Sequence, residues 1–164
     1  MVVRKSNVND IPAIMQIVNH AKQQMHKNGI DQWQDGYPNE ATILQDIQLN
    51  CSYVVQQDQT IVGTVCLMIS DEVSYHHIEN GRWLNQQPYL VIHRIAVMQR
   101  GVAGILLDEA IHLAVENDIY NIRVDTHEDN IAMRRFLSKN GFQECGVIYL
   151  ENHSKRIAYQ KILE

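Results

Sequence analysis

The stretch Leu90–Gly104, LVIHRIAVMQRGVAG, combines an apolar β-type run with small residues that lead into an apolar helix, Ile105–Val115. The start of a helix leaves backbone N–H groups unpaired and carries about half a positive charge. Gly101, Ala103 and Gly104 have little or no side chain, so a phosphate group can approach these donors closely. We interpret the junction as a candidate phosphate site, and a tight turn that needs small residues only for packing is the alternative.

Length, composition and charge limit the classes of protein to which this chain can belong. With 164 residues, of which 45% are hydrophobic and 20% charged, it is typical of one globular domain over residues 1–164. A formal charge of −5 argues against a general nucleic-acid binder, because no basic stripe faces a phosphate backbone. No stretch approaches the roughly 20 apolar residues of a membrane span. The N-terminal sequence MVVRKSNVND also lacks the apolar core of a secretory signal, so we expect a cytoplasmic protein that does not bind membranes.

The cysteines and histidines do not form a recognisable metal or disulfide pattern. Cys51, Cys66 and Cys145 are odd in number, widely spaced and outside any C-x-x-C pair. They are therefore predicted to be reduced, mostly buried thiols without a disulfide or metal role. The eight histidines show no H-E-x-x-H spacing, so zinc chemistry is not expected.

The periodicity of apolar residues predicts an α/β order of elements. A stripe from Ile11 to Met25 marks a first helix that Asp10 caps, and Ile30–Asn39 and Ser70–Pro88 are predicted loops. The remaining predicted helices are Glu40–Leu49, Gly101–Asn117 and Ile131–Asn140. The predicted strands are Val2–Lys5, Ser52–Gln57, Thr60–Ile69, Leu90–Val97, Asn121–Thr126, Phe142–Glu151 and Lys155–Leu163.

Four segments in this order resemble the GNAT superfamily of acetyl-CoA-dependent N-acetyltransferases. They are HRIAV with GVAG at 93–104, VDTHEDN at 124–130, FLSKNGF at 136–142 and CGVIYLENHSKRIAYQK at 145–161. NVNDIPAIMQIV and DQWQDGYP also match a bacterial subgroup, so the resemblance spans nearly the whole chain. It implies a single-domain α/β fold with a mixed central sheet of about seven strands and about four flanking helices.

The resemblance also implies an activity and a cofactor: the acetyl group of acetyl-CoA passes to a primary amine by direct attack on the thioester. In this family the fourth and fifth strands separate, and the pantetheine arm lies between them like an added strand. The implied cofactor-binding residues are Ile95, Ala96 and Val97 for pantetheine, Gly101, Val102, Ala103 and Gly104 for the pyrophosphate, Asn130 for pantetheine or nucleotide, and Arg100 or Lys139 as a cation at the phosphates.

Two positions depart from the family pattern. Met98 stands where the family turn has Arg or Gln, and only three residues separate Val97 from Gly101. Many members carry a tyrosine as general acid five residues before the phenylalanine of the GF pair, where this chain has Leu137. A thiolate leaving group, whose conjugate acid has a pKa near about 8.5, would then depart without that acid.

Two side chains are candidates for the base that such a reaction needs. His93 lies on the predicted strand just before the cofactor segment, and histidine titrates near neutral pH. Glu72, and less so Asp71, ends the preceding strand, where a carboxylate attracts an ammonium group. The alternatives are a partly buried structural histidine and solvated acids at a strand end.

Aromatic residues in the two loops are candidates for binding the acceptor. Trp33 and Tyr37 have side chains that stack on a substrate or screen it from water, and Tyr75 is a candidate for the opposite wall. The alternative for Trp33 and Tyr37 is that they plug the N-terminal side of the domain.

We therefore predict an N-acetyltransferase acting on a small-molecule or protein amine, without a metal. A non-catalytic acyl-CoA-binding or regulatory domain of the same fold is the alternative, which Met98 and Leu137 support. A thiol-dependent hydrolase is a weaker alternative, because no motif places a cysteine near a histidine. A homodimer is plausible by general frequency.

Overall fold

The computed structural model describes residues 1–164, and its elements follow the predicted order. The helices are α1 (Ile11–Lys27), α2 (Glu40–Gln48), α3 (Val102–Glu116) and α4 (Ile131–Lys139). The strands are β1 (Val2–Lys5), β2 (Ser52–Gln57), β3 (Thr60–Met68), β4 (Leu90–Val97), β5 (Asn121–Thr126), β6 (Gln143–Tyr149) and β7 (Lys155–Ile162). Short 3-10 turns at Val8–Asp10 and Val73–Tyr75 were not predicted.

The seven strands form one mixed sheet in the order β1-β2-β3-β4-β5-β7-β6. Strand β4 pairs with β5 in parallel, whereas β1 with β2, β2 with β3, β5 with β7 and β6 with β7 are antiparallel. The predicted α/β class, the mixed sheet of seven strands and the four helices are confirmed. None of the helices has the length and apolar character that a membrane crossing requires.

Two compact units make up the chain. The first contains Met1–Met68 and Ile92–His112, and the second contains Ile69–Val91 and Leu113–Glu164. The single domain over residues 1–164 stays a prediction.

The core of the first unit forms under α1, as the helical stripe predicted. Ile14 and Val18 are fully buried and cluster with Ile43 of α2 and Val54 of β2. Their spacing of three and four residues along α1 places them on one face of that helix. The opposite face stays polar.

Helix α1 begins differently from the prediction. Asp10 precedes it with a helical backbone and makes no capping hydrogen bond with its side chain. Its carboxylate instead accepts hydrogen bonds from both terminal nitrogens of Arg4, at 2.8 and 2.9 Å, and from the Asn7 N–H at 2.8 Å. The prediction that Asp10 caps α1 is wrong, because the charged Arg4 and the preceding turn use its oxygens.

The second unit fixes the long segment that the sequence predicted as a loop. Glu79 pairs with Val147 of β6 through two backbone hydrogen bonds of 2.8 Å. A Cβ atom at Gly81 would lie 1.9 Å from the Cys145 carbonyl oxygen, so only glycine permits this approach. Trp83 is buried beside Cys145, in the core of this unit. The segment is thus a packed part of the fold.

The Arg4–Asp10 pair predicts a pH-dependent contribution to stability. The hydrogen bonds from Arg4 lower the pKa of Asp10, so the pair stabilises the fold above the unfolded carboxyl pKa of about 3.9. That contribution disappears as the pH falls through the lowered pKa of the folded state. We expect Asp10→Asn to reduce the free energy of unfolding in urea by about 1–2 kcal/mol at pH 7.

The difference in the free energy of unfolding between Asp10→Asn and the wild type should shrink at pH 3 and below, because the wild-type carboxyl then protonates. Asp58→Asn is the matched control, since Asp58 is exposed in the β2–β3 turn with a left-handed backbone that asparagine also tolerates. A deficit for Asp10→Asn that stays constant from pH 7 to pH 3 would contradict this assignment.

Candidate functional site

The connection between β4 and α3 is as short as the sequence indicates. Met98 follows β4 directly, and its N–H donates to the Val62 carbonyl oxygen over 2.9 Å. The Gln99 side-chain amide donates to that of Gln57 over 3.0 Å. Gly101 then takes a φ of +87°, a left-handed conformation that suits glycine. These contacts hold the turn against β2 and β3 before the helix begins at Val102.

The first turn of α3 begins with backbone N–H groups that have no partner within the helix. The Ile105 N–H donates to the Gly101 carbonyl over 3.3 Å, so the N–H groups of Val102, Ala103 and Gly104 precede the first helical hydrogen bond. A Cβ atom built at Gly101 or at Gly104 would meet no atom within 4 Å. A helix start of this kind can attract an anion, and neither Gly101 nor Gly104 brings a side chain close to it.

Packing of Val102 holds this helix start in place. Val102 is fully buried, and a Cβ atom at Gly63 of β3 would lie 2.5 Å from its Cγ1. Gly63 therefore permits the first turn of α3 to approach the sheet. Arg100, by contrast, is exposed immediately before Gly101.

Strand β4 departs from regular geometry in its middle. Arg94 has a φ of +51°, which is rare for a residue with a long side chain. His93 and Ile95 flank it and are half-buried, as is Val97, whereas Ala96 is buried. A left-handed residue inside a strand interrupts the alternation of its backbone groups. The irregularity falls within the segment that the sequence assigned to the cofactor and the base.

Arg94 is the centre of a buried polar cluster that sequence reasoning missed. Its Nε and Nη2 donate to the two carboxylate oxygens of Asp46 at 2.8 and 2.6 Å, in a bidentate pair. Its Nη1 donates to the Tyr37 hydroxyl at 2.7 Å, and Nη2 lies 3.3 Å from the Cys66 sulfur. The side chains of Arg94 and Asp46 are only 14% and 6% exposed.

Electrostatics keep this cluster charged. Burial, the largest single effect, disfavours the guanidinium, but the hydrogen bonds to Asp46 and the charge interactions with Tyr37, Cys66 and Asp46 together raise the pKa of Arg94 above its ordinary value. Burial also raises the pKa of Tyr37, although the positive Arg94 opposes the shift. Tyr37 therefore remains a neutral phenol whose oxygen accepts a hydrogen bond from Arg94.

The loop with Trp33 and Tyr37 folds back on α1. Lys22 of α1 donates to the Pro38 carbonyl at 2.6 Å, and the Gln34 side chain donates to the Lys22 carbonyl at 3.0 Å. Trp33 is half-buried with a φ of +61°, whereas Tyr37 is exposed apart from its contact with Arg94. Their role as acceptor-binding residues stays a prediction.

In the second unit, Glu72 and Asp71 belong to a small hydrogen-bonded turn. The Tyr89 hydroxyl accepts a hydrogen bond from the Glu72 N–H and donates one to the Asp71 carboxylate, and each donor–acceptor distance is 2.9 Å. The Glu72 carboxylate accepts from the Ser74 N–H at 3.3 Å. His76 lies 2.5 Å from the other Asp71 oxygen, and this hydrogen bond lowers the pKa of Asp71.

Tyr75 is a core residue in this structure. Its side chain is 2% exposed, and its hydroxyl donates to Asp125 at 2.7 Å. Its carbonyl accepts from the indole N–H of Trp83 at 2.9 Å. The contact of Tyr75 with an acceptor stays a prediction.

Helix α4 holds the remaining predicted residues. Asn130 caps its start, where the side-chain oxygen accepts from the Met133 N–H at 3.3 Å. Lys139 is exposed at its other end, about 13 Å away along the axis. Leu137 is 2% exposed, so the position of the family's general acid is part of the apolar core.

Sequence and structure comparisons identify the class of this protein. The acetyltransferase (GNAT) family profile matches residues 12–142. A GNAT-family acetyltransferase from Streptococcus agalactiae 2603 is 35% identical, with a TM-score of 0.89 over 99% of this chain and 95% of that chain. The chain belongs to the GNAT acetyltransferase family, and it is an acyltransferase.

More distant solved structures share the fold. A GNAT-family acetyltransferase from Listeria monocytogenes 4b F2365 is 22% identical, with a TM-score of 0.73 over 99% of this chain and 94% of that chain. The PaiA N-acetyltransferase from Thermoplasma acidophilum, crystallised with coenzyme A, is 18% identical, with a TM-score of 0.72 over 98% of both chains. No curated protein matches the chain significantly.

The buried Asp46–Arg94 pair predicts that two substitutions in this cluster lower the free energy of unfolding by unequal amounts. Asp46→Asn leaves the Arg94 guanidinium buried without its counter-charge, so we expect a loss of roughly 3 kcal/mol in the free energy of unfolding. Tyr37→Phe removes one hydrogen bond at an exposed position and should cost about 1 kcal/mol or less. Urea denaturation followed by circular dichroism measures both, and equal losses would contradict the central role of the Asp46–Arg94 pair.

Proposed function

We propose that this protein transfers the acetyl group of acetyl-CoA to a primary amine, carried by a small molecule or a protein, by direct attack on the thioester. The observation that supports this most is the β4–α3 junction, where a left-handed Gly101 leads into a helix start and where Gly101 and Gly104 leave open space at their side-chain positions. Family membership and the coenzyme A bound to the Thermoplasma relative point to the same ligand.

The helix start fits a pyrophosphate group. The backbone donors of Gly101, Val102, Ala103 and Gly104 would hold its oxygens, and the helix dipole favours negative charge there. Arg100 is exposed next to these donors and has a planar fork of donors that matches a phosphate. Asn130 and Lys139 of α4 keep the cofactor roles that the family resemblance implies.

The strand before the junction fits the pantetheine arm. An extended ligand can add to a strand through main-chain hydrogen bonds, for which Ile95, Ala96 and Val97 supply the backbone groups. The parallel pairing of β4 with β5 joins Leu90 to Ile122 and Val91 to Arg123, at the start of β4 and before the left-handed Arg94. Acetyl-CoA supplies an activated acetyl carbonyl, and N–H groups near Ile95 or Val97 would stabilise negative charge on its oxygen.

The amine must lose its proton before it can attack. His93 and Glu72 are our candidates for the base, acting directly or through one water. Leu137 provides no acid for the departing thiolate, so the sulfur would leave as an anion and take its proton from solvent. Trp33 and Tyr37 are our candidates for holding the acceptor, since Tyr37 presents a ring whose hydroxyl Arg94 fixes.

Substitution of Gly104 tests the phosphate site without damage to the fold. Gly104→Glu places a carboxylate before the backbone donors and should weaken acetyl-CoA and CoA binding by roughly a hundredfold in calorimetric titration. The fold should survive, because the helix dipole favours an acidic residue in the first turn.

Gly104→Ala is the matched control. Its methyl group enters open space, so cofactor affinity should stay close to wild type while the helix gains about 0.5–1 kcal/mol. If Gly104→Glu binds both ligands as tightly as Gly104→Ala, the phosphates do not bind at this helix start.

Substitution of the candidate bases tests catalysis separately from cofactor binding. We expect His93→Ala or Glu72→Gln to lower turnover by roughly a hundredfold, with the affinity for acetyl-CoA nearly unchanged. Thiol release from acetyl-CoA, measured across a panel of small amines and lysine-containing peptides, gives the rate. His26→Ala at the exposed end of α1 is the control and should have no effect. Full rates in both variants would exclude both residues as the base.

A further inference from the structure

Two cysteines of the first unit lie in direct contact. The Sγ atoms of Cys51 and Cys66 are 3.3 Å apart, and the two residues are only 6% and 1% exposed. Cys51 immediately precedes β2 and Cys66 lies in β3, where the Leu67 N–H donates to the Cys51 carbonyl at 2.8 Å. The backbone thus holds the two thiols together, although their separation in sequence gave no sign of it. The proposed transfer uses neither sulfur.

A metal ion is not the best interpretation of this cluster. Asp46 brings a carboxylate to within 4.8 Å of both sulfurs, which is a plausible set of ligand atoms. Both oxygens of that carboxylate, however, accept hydrogen bonds from Arg94. The guanidinium also lies 3.3 Å from the Cys66 sulfur, and its permanent positive charge opposes a cation there. A reaction between the two sulfur atoms is therefore the better interpretation of the cluster.

We propose that Cys51 and Cys66 form a redox site, at which hydrogen peroxide converts the two thiols to a reversible disulfide. The Cys51 thiolate attacks a peroxide oxygen, the O–O bond breaks, and a sulfenic acid and one water result after proton uptake. The Cys66 sulfur then attacks the Cys51 sulfur, the S–O bond breaks, and the Cys66 proton leaves with the hydroxide as a second water. Two thiols are oxidised to one disulfide, and one peroxide is reduced to two waters.

The geometry supports each step. A disulfide bond is about 2.05 Å long, so the sulfurs need to approach by only roughly 1.3 Å. The Cys66 thiol donates toward Cys51, and this contact lowers the pKa of Cys51 against the opposing effects of burial and Asp46. Cys51, whose own S–H donates to the Asp46 carbonyl at 3.3 Å, is therefore the sulfur favoured to attack. The contact between the two sulfurs raises the pKa of Cys66, which therefore keeps its proton until it resolves the sulfenic acid. Cys51 is only 6% exposed, so peroxide, which is close to water in size, would reach its sulfur during a local opening of the fold.

Oxidation would act on Tyr37 through Arg94. The Cys66 sulfur accepts a hydrogen bond from Arg94 Nη2, and its movement toward Cys51 weakens that contact. The same guanidinium fixes the Tyr37 hydroxyl through Nη1. We therefore infer that the disulfide weakens acceptor binding and leaves cofactor binding unchanged, an extension that rests on the proposed function.

Peptide mapping tests the disulfide without any assay of activity. Purified protein is treated with hydrogen peroxide, denatured and alkylated, and then cleaved before aspartate. Cleavage at Asp46, Asp58 and Asp71 separates the two cysteines into peptides 46–57 and 58–70. We expect these peptides to be cross-linked after oxidation, with the free thiols reduced from three to one and restored by dithiothreitol.

Cysteine variants supply the matched controls. Cys145→Ser should form the same cross-link, since Cys145 belongs to the core of the second unit, whereas Cys66→Ser should form none. Three free thiols after peroxide treatment, or sulfinic acid on Cys51 without a cross-link, would overturn the redox site.

The effect on the acceptor is measured with the best amine from the panel above. Oxidation should raise its KM by roughly fivefold, the effect of about one hydrogen bond, while the affinity for acetyl-CoA stays the same. An unchanged KM in fully cross-linked protein would overturn the link to Tyr37. If no amine is acetylated, the proposed function fails, but the cross-link still decides the redox site.

Discussion

The bidentate pair between Arg94 and Asp46 organises the first unit. It joins the middle of β4 to α2, two segments 48 residues apart in sequence, through a contact that is almost closed to solvent. A guanidinium that is mostly buried loses much of its hydration, so it needs acceptors close to its donors. Arg94 meets this need with Asp46, the Tyr37 hydroxyl and the Cys66 sulfur. The loop, the strand and the cysteine pair are thus parts of one electrostatic arrangement.

Elements with a regular period could be predicted from sequence to within one or two residues at their ends. The stripe of α1, the hairpin of β2 and β3, and the apolar run of β4 each bury a face or both faces, and burial imposes a periodic pattern. The β4–α3 junction was also predictable, because a tight turn into a helix requires small residues at fixed positions. Family resemblance added the mixed sheet and its separating fourth and fifth strands, which local patterns do not contain.

Polar contacts between distant segments could not be predicted in the same way. Nothing in the spacing of Asp46, Cys51, Cys66 and Arg94 indicates that they meet, since side-chain hydrogen bonds depend on tertiary packing. The same applies to Asp10. Aspartate is a common helix cap, but here its carboxylate accepts hydrogen bonds from Arg4. Likewise, nothing in the loop position of Tyr75 indicates that its ring packs against Trp83 and that its hydroxyl donates to Asp125.

The turn between β4 and α3 also bears on the thermodynamics of ligand binding. Contacts from Met98 and Gln99 to neighbouring strands, together with buried Val102, hold the first turn of α3 within the fold. A longer and looser turn would lose conformational entropy whenever it closed around a phosphate. Here that entropy is already lost when the chain folds. The short connection therefore gives a helix start that the fold itself orders, so the phosphate binding proposed above would require little further ordering of the backbone.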